Sequence, residues 1–295
     1  MRETLLAVVG WLLICPVGRG TEPGNEIRFH LIHGFAIVTR GEIGALKGLN
    51  FMIDTGAVPS VISTRIAAQL GTQGDSGSFA VASNDSEGLS SGSATALYVT
   101  IKEVHVGWIR AAELPMVIVD LRQLERNLGI RIDAIVGLDI FAGQDFSIDY
   151  QHHKVTKGLS GMTRHRIPGD IRTAAGAPYW IVQVTLGGQP LRFLLDTGAN
   201  DLAVFEDAPE PSFLNDRRRP GTAQASRIVP TVQASNTPQT LLALGDVPLE
   251  NQQTVKLARP AGVLGDIDGL LGPTAVRVTR LEFDWANKAV LWNAE

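Results

Sequence analysis

The triplet Asp-Thr-Gly occurs twice in the chain, each time at the end of an apolar run and each time followed by Ala. The first copy is Asp54–Gly56 and the second is Asp196–Gly198. Later in each half, two branched aliphatic residues stand before a glycine, at Ile135–Gly137 and at Leu270–Gly272. Two copies in matching contexts indicate a duplicated fold that brings two carboxylates together.

Further segments of the two halves match in the same order. They are Ile37-Val38 with Ile181-Val182, Ile101–Val104 with Leu244–Val247, Val117 with Val255, Asp133–Gly137 with Asp268–Gly272, and Phe146–Tyr150 with Leu281–Trp285. The repeat predicts two related lobes in a pseudo-twofold arrangement. Pairing of the chain with a second copy is an alternative, but the internal repeat makes a two-lobed monomer the simpler prediction.

Short runs rich in Val, Ile and Leu, punctuated by Gly and Pro, are typical of an all-β fold. One of them is Val276–Val278. Brief helices are predicted over Ser63–Leu70 and over Leu121–Leu128, the second with Asp120 as its N-cap. The predicted organisation is a signal peptide over residues 1–20, an N-terminal lobe over 21–156, a linker over 157–178 and a C-terminal lobe over 179–295.

Two polar stretches, Gly71–Ser93 and Pro209–Pro238, occupy the same place in their repeats. Most segments of this composition are surface loops or hairpins. The alternative is that one or both cover a cleft as a mobile hairpin.

Composition excludes several classes of function. A net charge of −4 over 295 residues is too small to indicate a nucleic-acid partner or an anionic membrane surface. The six histidines show no metal-ligand spacing, and Cys15 is the only cysteine, so no disulfide framework is available. We therefore predict neither a metal nor a cofactor.

The N-terminus has the pattern of an export signal. Arg2 precedes an apolar run, Leu5–Cys15, which Pro16 ends, and Gly18 and Gly20 supply small residues for cleavage. The run is shorter than the roughly 20 residues that span a bilayer. A hydrophobic helix on a cytosolic protein and lipid attachment at Cys15 are the alternatives. We predict an exported protein, periplasmic or secreted, with no stable membrane span after signal removal.

Two neighbouring carboxyl groups can hydrolyse a peptide bond if they share one proton. Like charges in close contact resist double ionisation, so one pKa falls and the other rises. The ionised member then acts as a base toward water, and the protonated member acts as an acid toward the carbonyl. Asp54 and Asp196 are the candidates for this pair.

The residues that follow each aspartate fit a supporting role. Gly56 and Gly198 allow tight turns that bring backbone N–H groups toward the carboxylates. The hydroxyls of Thr55 and Thr197 can form hydrogen bonds between the lobes and hold the two loops in register. Apolar strands before each triplet would fix these loops rigidly.

On these residues the chain resembles the aspartic peptidase superfamily, which includes pepsin and the retroviral proteases. Asp133–Phe141 followed by Ile148–Tyr150 is most similar to the retropepsin-like bacterial aspartyl proteases. The resemblance covers Phe29–Trp292. It implies two small β-barrel-like lobes, each with a hairpin flap and a glycine-containing loop under its catalytic aspartate. It also implies peptide or protein substrates and a site completed within one chain, as in pepsin.

The chain departs from the family pattern at specific positions. Val58 and Asn200 stand where many members have Ser or Thr, and Pro273-Thr274 stands where the first half has Leu138-Asp139. No flap tyrosine is evident. Each triplet could also be a simple turn, and a peptide-binding or assembly module without catalysis is the alternative function. The presence of both aspartates favours the endopeptidase.

Overall fold

The computed structural model describes residues 24–72, 74–85, 88–141, 143–209, 234–236, 242–249, 253–257, 259 and 266–294. Within these ranges the protein is mostly β-structure arranged as two barrel-like lobes, which confirms the predicted all-β class. The helices in this part of the chain are short. They are α1 (Thr64–Gln69), α2 (Arg122–Leu128) and the 3₁₀ helices Leu138–Phe141 and Pro273–Val276.

The described part of the N-terminal half contains eleven strands. They are β1 (Glu26–Arg28), β2 (His30–Ile32), β3 (Ala36–Ile43), β4 (Leu46–Ile53), β5 (Val61–Ser63), β6 (Asp75–Asp85), β7 (Gly88–Val106), β8 (Ile109–Val119), β9 (Ala134–Val136), β10 (Phe146–Asp149) and β11 (Lys154–Lys157).

The described part of the C-terminal half contributes another eleven strands. They are β12 (His165–Ala174), β13 (Ala177–Leu186), β14 (Gln189–Leu195), β15 (Leu202–Phe205), β16 (Ala234–Asn236), β17 (Leu242–Leu244), β18 (Val247–Pro248), β19 (Gln253–Leu257), β20 (Gly269–Leu271), β21 (Val278–Asp284) and β22 (Ala289–Ala294).

The first lobe is a closed barrel. Its strands follow the order β3-β4-β9-β5-β8-β7, and β7 pairs back with β3 to complete a ring of six. Apolar side chains such as Phe51 and Met116 are fully buried inside it. Burying one such side chain stabilises the fold by about 1.5–3 kcal/mol, so the ring gives the site a rigid base.

The second lobe repeats this topology in the order β13-β14-β20-β15-β19-β16, with β17 paired to β13. Val61 lies opposite Val117 in the first lobe, as Ala203 lies opposite Val255 in the second. This confirms the predicted match of Val117 with Val255. Strands β16 and β17 take the place of β7, on either side of residues 237–241, which lie outside the described part.

A sheet of six strands joins the lobes. Strands β1, β11 and β10 come from the first half, and β21, β22 and β12 come from the second. At the junction β10 runs antiparallel to β21, with Phe146 opposite Phe283 and Ile148 opposite Leu281. Asp149 lies opposite Lys154 in the β10–β11 hairpin, as Asp284 lies opposite Ala289 in the β21–β22 hairpin, which confirms the match of Phe146–Tyr150 with Leu281–Trp285.

Charged side chains secure this junction. Asp149 is 1% exposed and pairs with Arg280 on the opposite strand. The backbone N–H of His152 also donates to Asp149 Oδ1 at 2.9 Å. Burial opposes ionisation of Asp149, but the bonds from His152 and the charge of Arg280 hold its pKa below the ordinary value.

The segment 157–178, predicted as a linker, contains a long strand. Strand β12 pairs with both β13 and β22 and therefore belongs to the C-terminal sheet. The backbone N–H of Ser160, just before it, lies 3.3 Å from both carboxylate oxygens of the fully buried Glu282. The remaining domain boundaries stay predictions, and residues 1–20 lie outside the described part.

The first polar stretch lies in the hairpin of β6 and β7, in agreement with the prediction of a hairpin. That it covers a cleft stays a prediction. The second lies mostly outside the described residues; Pro209 and the strand Ala234–Asn236 are the parts that are described. The described residues contain no helix that is long and apolar enough to cross a membrane.

Three local predictions were wrong. Val276–Val278 is not a strand, because Val276 ends a 3₁₀ helix and β21 starts only at Val278. The turn at Gly245 between β17 and β18 corresponds to the β7–β8 turn at Gly107, not to Ile101–Val104, which lies inside β7.

The third error concerns a helix end. Helix α2 has Leu121 as its N-cap and not Asp120. Asp120 nevertheless accepts a hydrogen bond from the backbone N–H of Arg122 at 3.0 Å. By contrast, Ser63 caps α1 as its position predicts, accepting from Ile66 N at 3.2 Å.

Candidate active site

Equivalent strands deliver the two Asp-Thr-Gly triplets to the boundary between the lobes. Strand β4 ends directly before Asp54 and lies parallel to β9, while β14 ends directly before Asp196 and lies parallel to β20. The backbone N–H of Asp54 donates to Val136 O at 3.0 Å, and that of Asp196 donates to Leu271 O at 3.0 Å. Both loops are therefore attached in the same way to the strand that precedes a glycine turn.

Each carboxylate is held by its own triplet. Gly56 N donates to Asp54 Oδ1 and Gly198 N donates to Asp196 Oδ1, both at 2.8 Å. The two side chains also lie close enough for each to shift the pKa of the other. The structure thus brings the predicted pair, Asp54 and Asp196, into one site.

The glycines are required by the closeness of the opposite loop. A Cβ atom on Gly56 would lie 2.6 Å from Cγ of Asp196, and one on Gly198 would lie 2.5 Å from Cγ of Asp54. Such distances are shorter than real Cβ contacts. Each carboxyl group therefore rests on the glycine of the other triplet.

Electrostatics inside the site favour a single shared proton. Burial raises the pKa of Asp196, and the neighbouring charge of Asp54 raises it further. Burial also raises the pKa of Asp54, while its interaction with the Asp196 side chain opposes that rise. Two carboxylates in contact titrate as a unit, so the pair retains a proton at a pH where isolated aspartates have lost theirs.

The threonines connect the two loops symmetrically. Thr55 N donates to Thr197 Oγ1 and Thr197 N donates to Thr55 Oγ1, both at 3.0 Å. Each hydroxyl then donates to a backbone carbonyl of the opposite strand, Leu195 O at 2.7 Å and Ile53 O at 3.2 Å. Both threonines are 1% exposed. The predicted hydrogen bonds between the lobes are therefore present, and they are fully buried.

The glycine turns lie directly under the loops. A Cβ atom on Gly137 would overlap the carbonyl oxygen of Ala57, and one on Gly272 would overlap that of Ala199. Only glycine allows this approach. The glycine-containing loops are therefore in the place that the family resemblance implied.

Two features of the site were not predicted from the sequence, and the first of them is present in both lobes. Asp133 Oδ2 accepts from Asn50 N at 2.8 Å, and Asp268 Oδ2 accepts from Arg192 N at 2.7 Å. These aspartates open the matched segments Asp133–Gly137 and Asp268–Gly272, so the repeat itself was the available signal.

The second missed feature is present in one lobe. Ser60 donates to Asp139 through its backbone N–H at 2.9 Å and through its hydroxyl at 2.5 Å. Val58, where the family often has a hydroxyl, is 9% exposed and packs in the core. Nothing in the local sequence connects Ser60 with a residue 79 positions away.

The described residues contain no group of three or more His, Cys, Asp or Glu side chains that could hold a metal ion. The site that they do form consists of two carboxyl groups, four backbone N–H donors and two hydroxyls. Such a site can bind a water molecule and transfer protons, which is general acid–base chemistry.

The aspartyl protease family matches residues 39–140 and 182–274, a segment in each lobe. Among solved structures, the chain is similar to one described as a retropepsin-like aspartic protease from Rickettsia conorii, with 17% identity and a TM-score of 0.32, covering 44% of this chain and 86% of that chain. No curated protein matches the chain. Since the family matches more than half of the chain and includes both triplets, this two-lobed protein belongs to the aspartyl protease family.

Proposed function

We propose that the protein is an aspartic endopeptidase in which Asp54 and Asp196 form the catalytic pair. The observation that carries the proposal is the convergence of these two side chains in an otherwise symmetrical site, where each carboxyl group packs against the glycine of the other triplet and each shifts the pKa of the other. A pair that needed only to terminate strands would have no reason to be in contact, since two carboxylates repel one another unless a proton lies between them.

The proposed mechanism uses one shared proton. A water molecule bound between the carboxyl groups gives a proton to the ionised member as its oxygen attacks the substrate carbonyl. The protonated member donates its proton to the carbonyl oxygen, which yields a tetrahedral diol. The first proton then passes to the departing amine as the C–N bond breaks, and one hydroxyl of the diol returns its proton to the other carboxylate, which re-forms the C=O bond and restores the shared proton.

The supporting residues hold the pair in position for this reaction. Backbone donors from Gly56 and Gly198 fix one oxygen of each carboxylate at 2.8 Å. The hydrogen bonds of Thr55 and Thr197 fix one loop against the other. Rigid placement of this kind lowers the cost of reorganisation during the reaction.

Family membership implies peptide or protein substrates. Because both aspartates come from one chain, we propose a monomer that needs no second copy to complete its site. We further propose export to the periplasm or the medium after removal of residues 1–20, on the strength of the apolar run Leu5–Cys15.

The test is cleavage of a peptide library by the purified mature chain between pH 3 and 7, with products identified by mass spectrometry. We expect cleavage by the wild type, and loss of cleavage in both Asp54→Asn and Asp196→Asn. Asp246→Asn is the matched control, because Asp246 is exposed in the turn between β17 and β18. Circular dichroism establishes that each variant is folded.

Two results would overturn the proposal. One is cleavage by either asparagine variant at the wild-type rate. The other is binding of peptides by the wild type without any cleavage across this pH range, which would identify a binding module on the same fold.

A further inference from the structure

Ser60 and Asp139 form a buried hydrogen-bonded pair behind the first triplet. Ser60 is fully buried. Its hydroxyl donates to Asp139 Oδ1 at 2.5 Å, and its backbone N–H donates to Asp139 Oδ2 at 2.9 Å. The same hydroxyl accepts from Gly137 N at 2.9 Å. Three hydrogen bonds therefore join the end of the Asp54 loop to the glycine turn.

This pair is linked to Asp54 by contacts on both sides. Gly137 packs so closely against the carbonyl oxygen of Ala57, three residues beyond Asp54, that no Cβ atom would fit between them. Val136, directly before Gly137, accepts the backbone N–H of Asp54 at 3.0 Å. A displacement of the glycine turn would therefore move the loop that carries the carboxylate.

The far end of the loop is fixed as well. The carbonyl oxygen of Ser60 accepts from Val117 N, in β8, at 2.9 Å. Ser60 thus connects the loop to the barrel wall through its backbone and to the glycine turn through its side chain. Few backbone movements of the loop are possible while both connections hold.

Neither residue of this pair is present at the equivalent position of the second lobe. Leu202 stands six residues after Asp196, where Ser60 stands six residues after Asp54. Thr274 stands two residues after Gly272, where Asp139 stands two residues after Gly137. The hydroxyl of Thr274 is buried and finds no hydrogen-bond partner among the described residues.

The two catalytic loops are therefore supported differently. In the second lobe the backbone N–H of Gly272 donates to the carbonyl oxygen of Asp201 at 3.0 Å. That contact involves only main-chain atoms, so it persists in any sequence that keeps the turn. In the first lobe the Gly137 N–H donates to the hydroxyl of Ser60, which itself donates to the carboxylate of Asp139.

We propose that Ser60 and Asp139 are positioning residues for Asp54, and that the first lobe depends on this side-chain pair while the second lobe does not use one. The inference rests on the proposed function for its catalytic consequence. Its structural content, the support of one loop by a hydroxyl–carboxylate pair, is independent of any activity.

The first experiment measures kcat and KM per folded molecule for Ser60→Ala and Asp139→Asn. We expect kcat to fall roughly tenfold to a hundredfold with little change in KM, because small misplacements of reacting groups slow the reaction without removing substrate contacts. The double variant should lose no more than the poorer single variant, since both changes break one connected unit. Thr274→Val, at the equivalent position of the second lobe, is the control and should keep the wild-type kcat.

The second experiment is hydrogen–deuterium exchange, which reports on the loops even if no peptide is cleaved. We expect Ser60→Ala to accelerate exchange in residues 54–60 and 136–139 but not in residues 196–199. If the wild type cleaves no peptide, the proposed function is refuted, but the exchange experiment still tests the positioning role. Unchanged exchange in residues 54–60, an equal acceleration of exchange in residues 196–199, or a rise in KM with constant kcat would overturn the positioning role.

Discussion

Gly198 lies directly beneath the carboxyl group of Asp54, so close that a methyl group in place of its hydrogen would lie 2.5 Å from Cγ of that side chain. The relationship is reciprocal, because Gly56 lies beneath Asp196. Each triplet thus supplies the carboxylate for one half of the site and the supporting surface for the other half. The site exists only when both lobes are assembled.

Gly198→Ala tests this contact. The φ angle of Gly198 is not in the left-handed region, so alanine fits the backbone and the effect comes from the new methyl group. We expect Asp54 to be displaced and peptide cleavage to fall about a hundredfold or more. Kinetics per folded molecule measure the effect. Gly158→Ala, which has open space around it, should lower stability slightly and leave turnover intact; equal losses in both variants would contradict the prediction.

Thr55→Val tests the buried hydrogen bonds between the loops. Valine has the shape of threonine but leaves Thr197 N and Leu195 O without their partner. The free energy of unfolding should fall by about 1–3 kcal/mol, as for other unsatisfied buried polar groups. Urea denaturation measures this change. Thr55→Ser keeps the hydroxyl and should retain most of the stability; if it is as unstable as the valine variant, the lost methyl packing is responsible instead.

The pH dependence of stability should reveal the raised pKa of Asp196 in the carboxyl pair. The folded pKa of Asp196 is raised above its ordinary value, so the folded state binds this proton more tightly than the unfolded chain. Stability is therefore lost as pH rises from about 3.8 through the raised pKa. Asp196→Asn removes the penalty and should be on the order of 1–3 kcal/mol more stable than the wild type at pH 7.

The same variant should match the wild type below about pH 2.5, more than one unit under the ordinary value of 3.8, where both carboxyl groups are protonated in the folded and unfolded states. Chemical denaturation at several pH values provides the measurement. A constant difference between variant and wild type across the whole range would show that packing, rather than ionisation, separates them.

Arg280→Met tests the junction of the two lobes. It leaves the carboxylate of Asp149 buried without its cationic partner, which should lower the free energy of unfolding by about 3 kcal/mol at pH 7. Because the folded pKa of Asp149 is lowered, the stability that it contributes is present above pH 3.8 and disappears as pH falls through the folded pKa. The defect should therefore shrink in acid.

A matched surface pair serves as the control for Arg280. Arg122→Met breaks an exposed ion pair with Asp120 and should change stability little. If Arg280→Met is equally mild at pH 7, the junction does not depend on its buried charge pair. If its defect grows in acid, the sign of the Asp149 pKa shift is wrong.

The sequence predicted the parts of the site that depend on local repetition. Asp54 and Asp196 could be found because the same triplet follows the same kind of apolar strand twice. The role of Thr55 and Thr197 followed from chemistry once the pair was assumed, and their hydrogen bonds are present.

Other predictions failed where the answer depends on strand register. The match of Ile101–Val104 with Leu244–Val247 was wrong, since Leu244 pairs with Val247 across its turn as Val106 pairs with Ile109. A short apolar run such as Val276–Val278 also does not indicate where a helix ends and a strand begins. The turn at Arg277, which has a positive φ, decides that boundary.

The sequence by itself determined which two carboxyl groups come together, because a repeated pattern of strand, triplet and glycine turn is visible without knowledge of any long-range contact. Only the tertiary structure decided that each carboxyl rests on the opposite glycine and that Ser60 reaches Asp139. These contacts join residues that are 79 (Ser60 and Asp139) to 144 (Asp54 and Gly198) positions apart. Barrel closure and the sheet between the lobes create them, and neither can be read from a local stretch of residues.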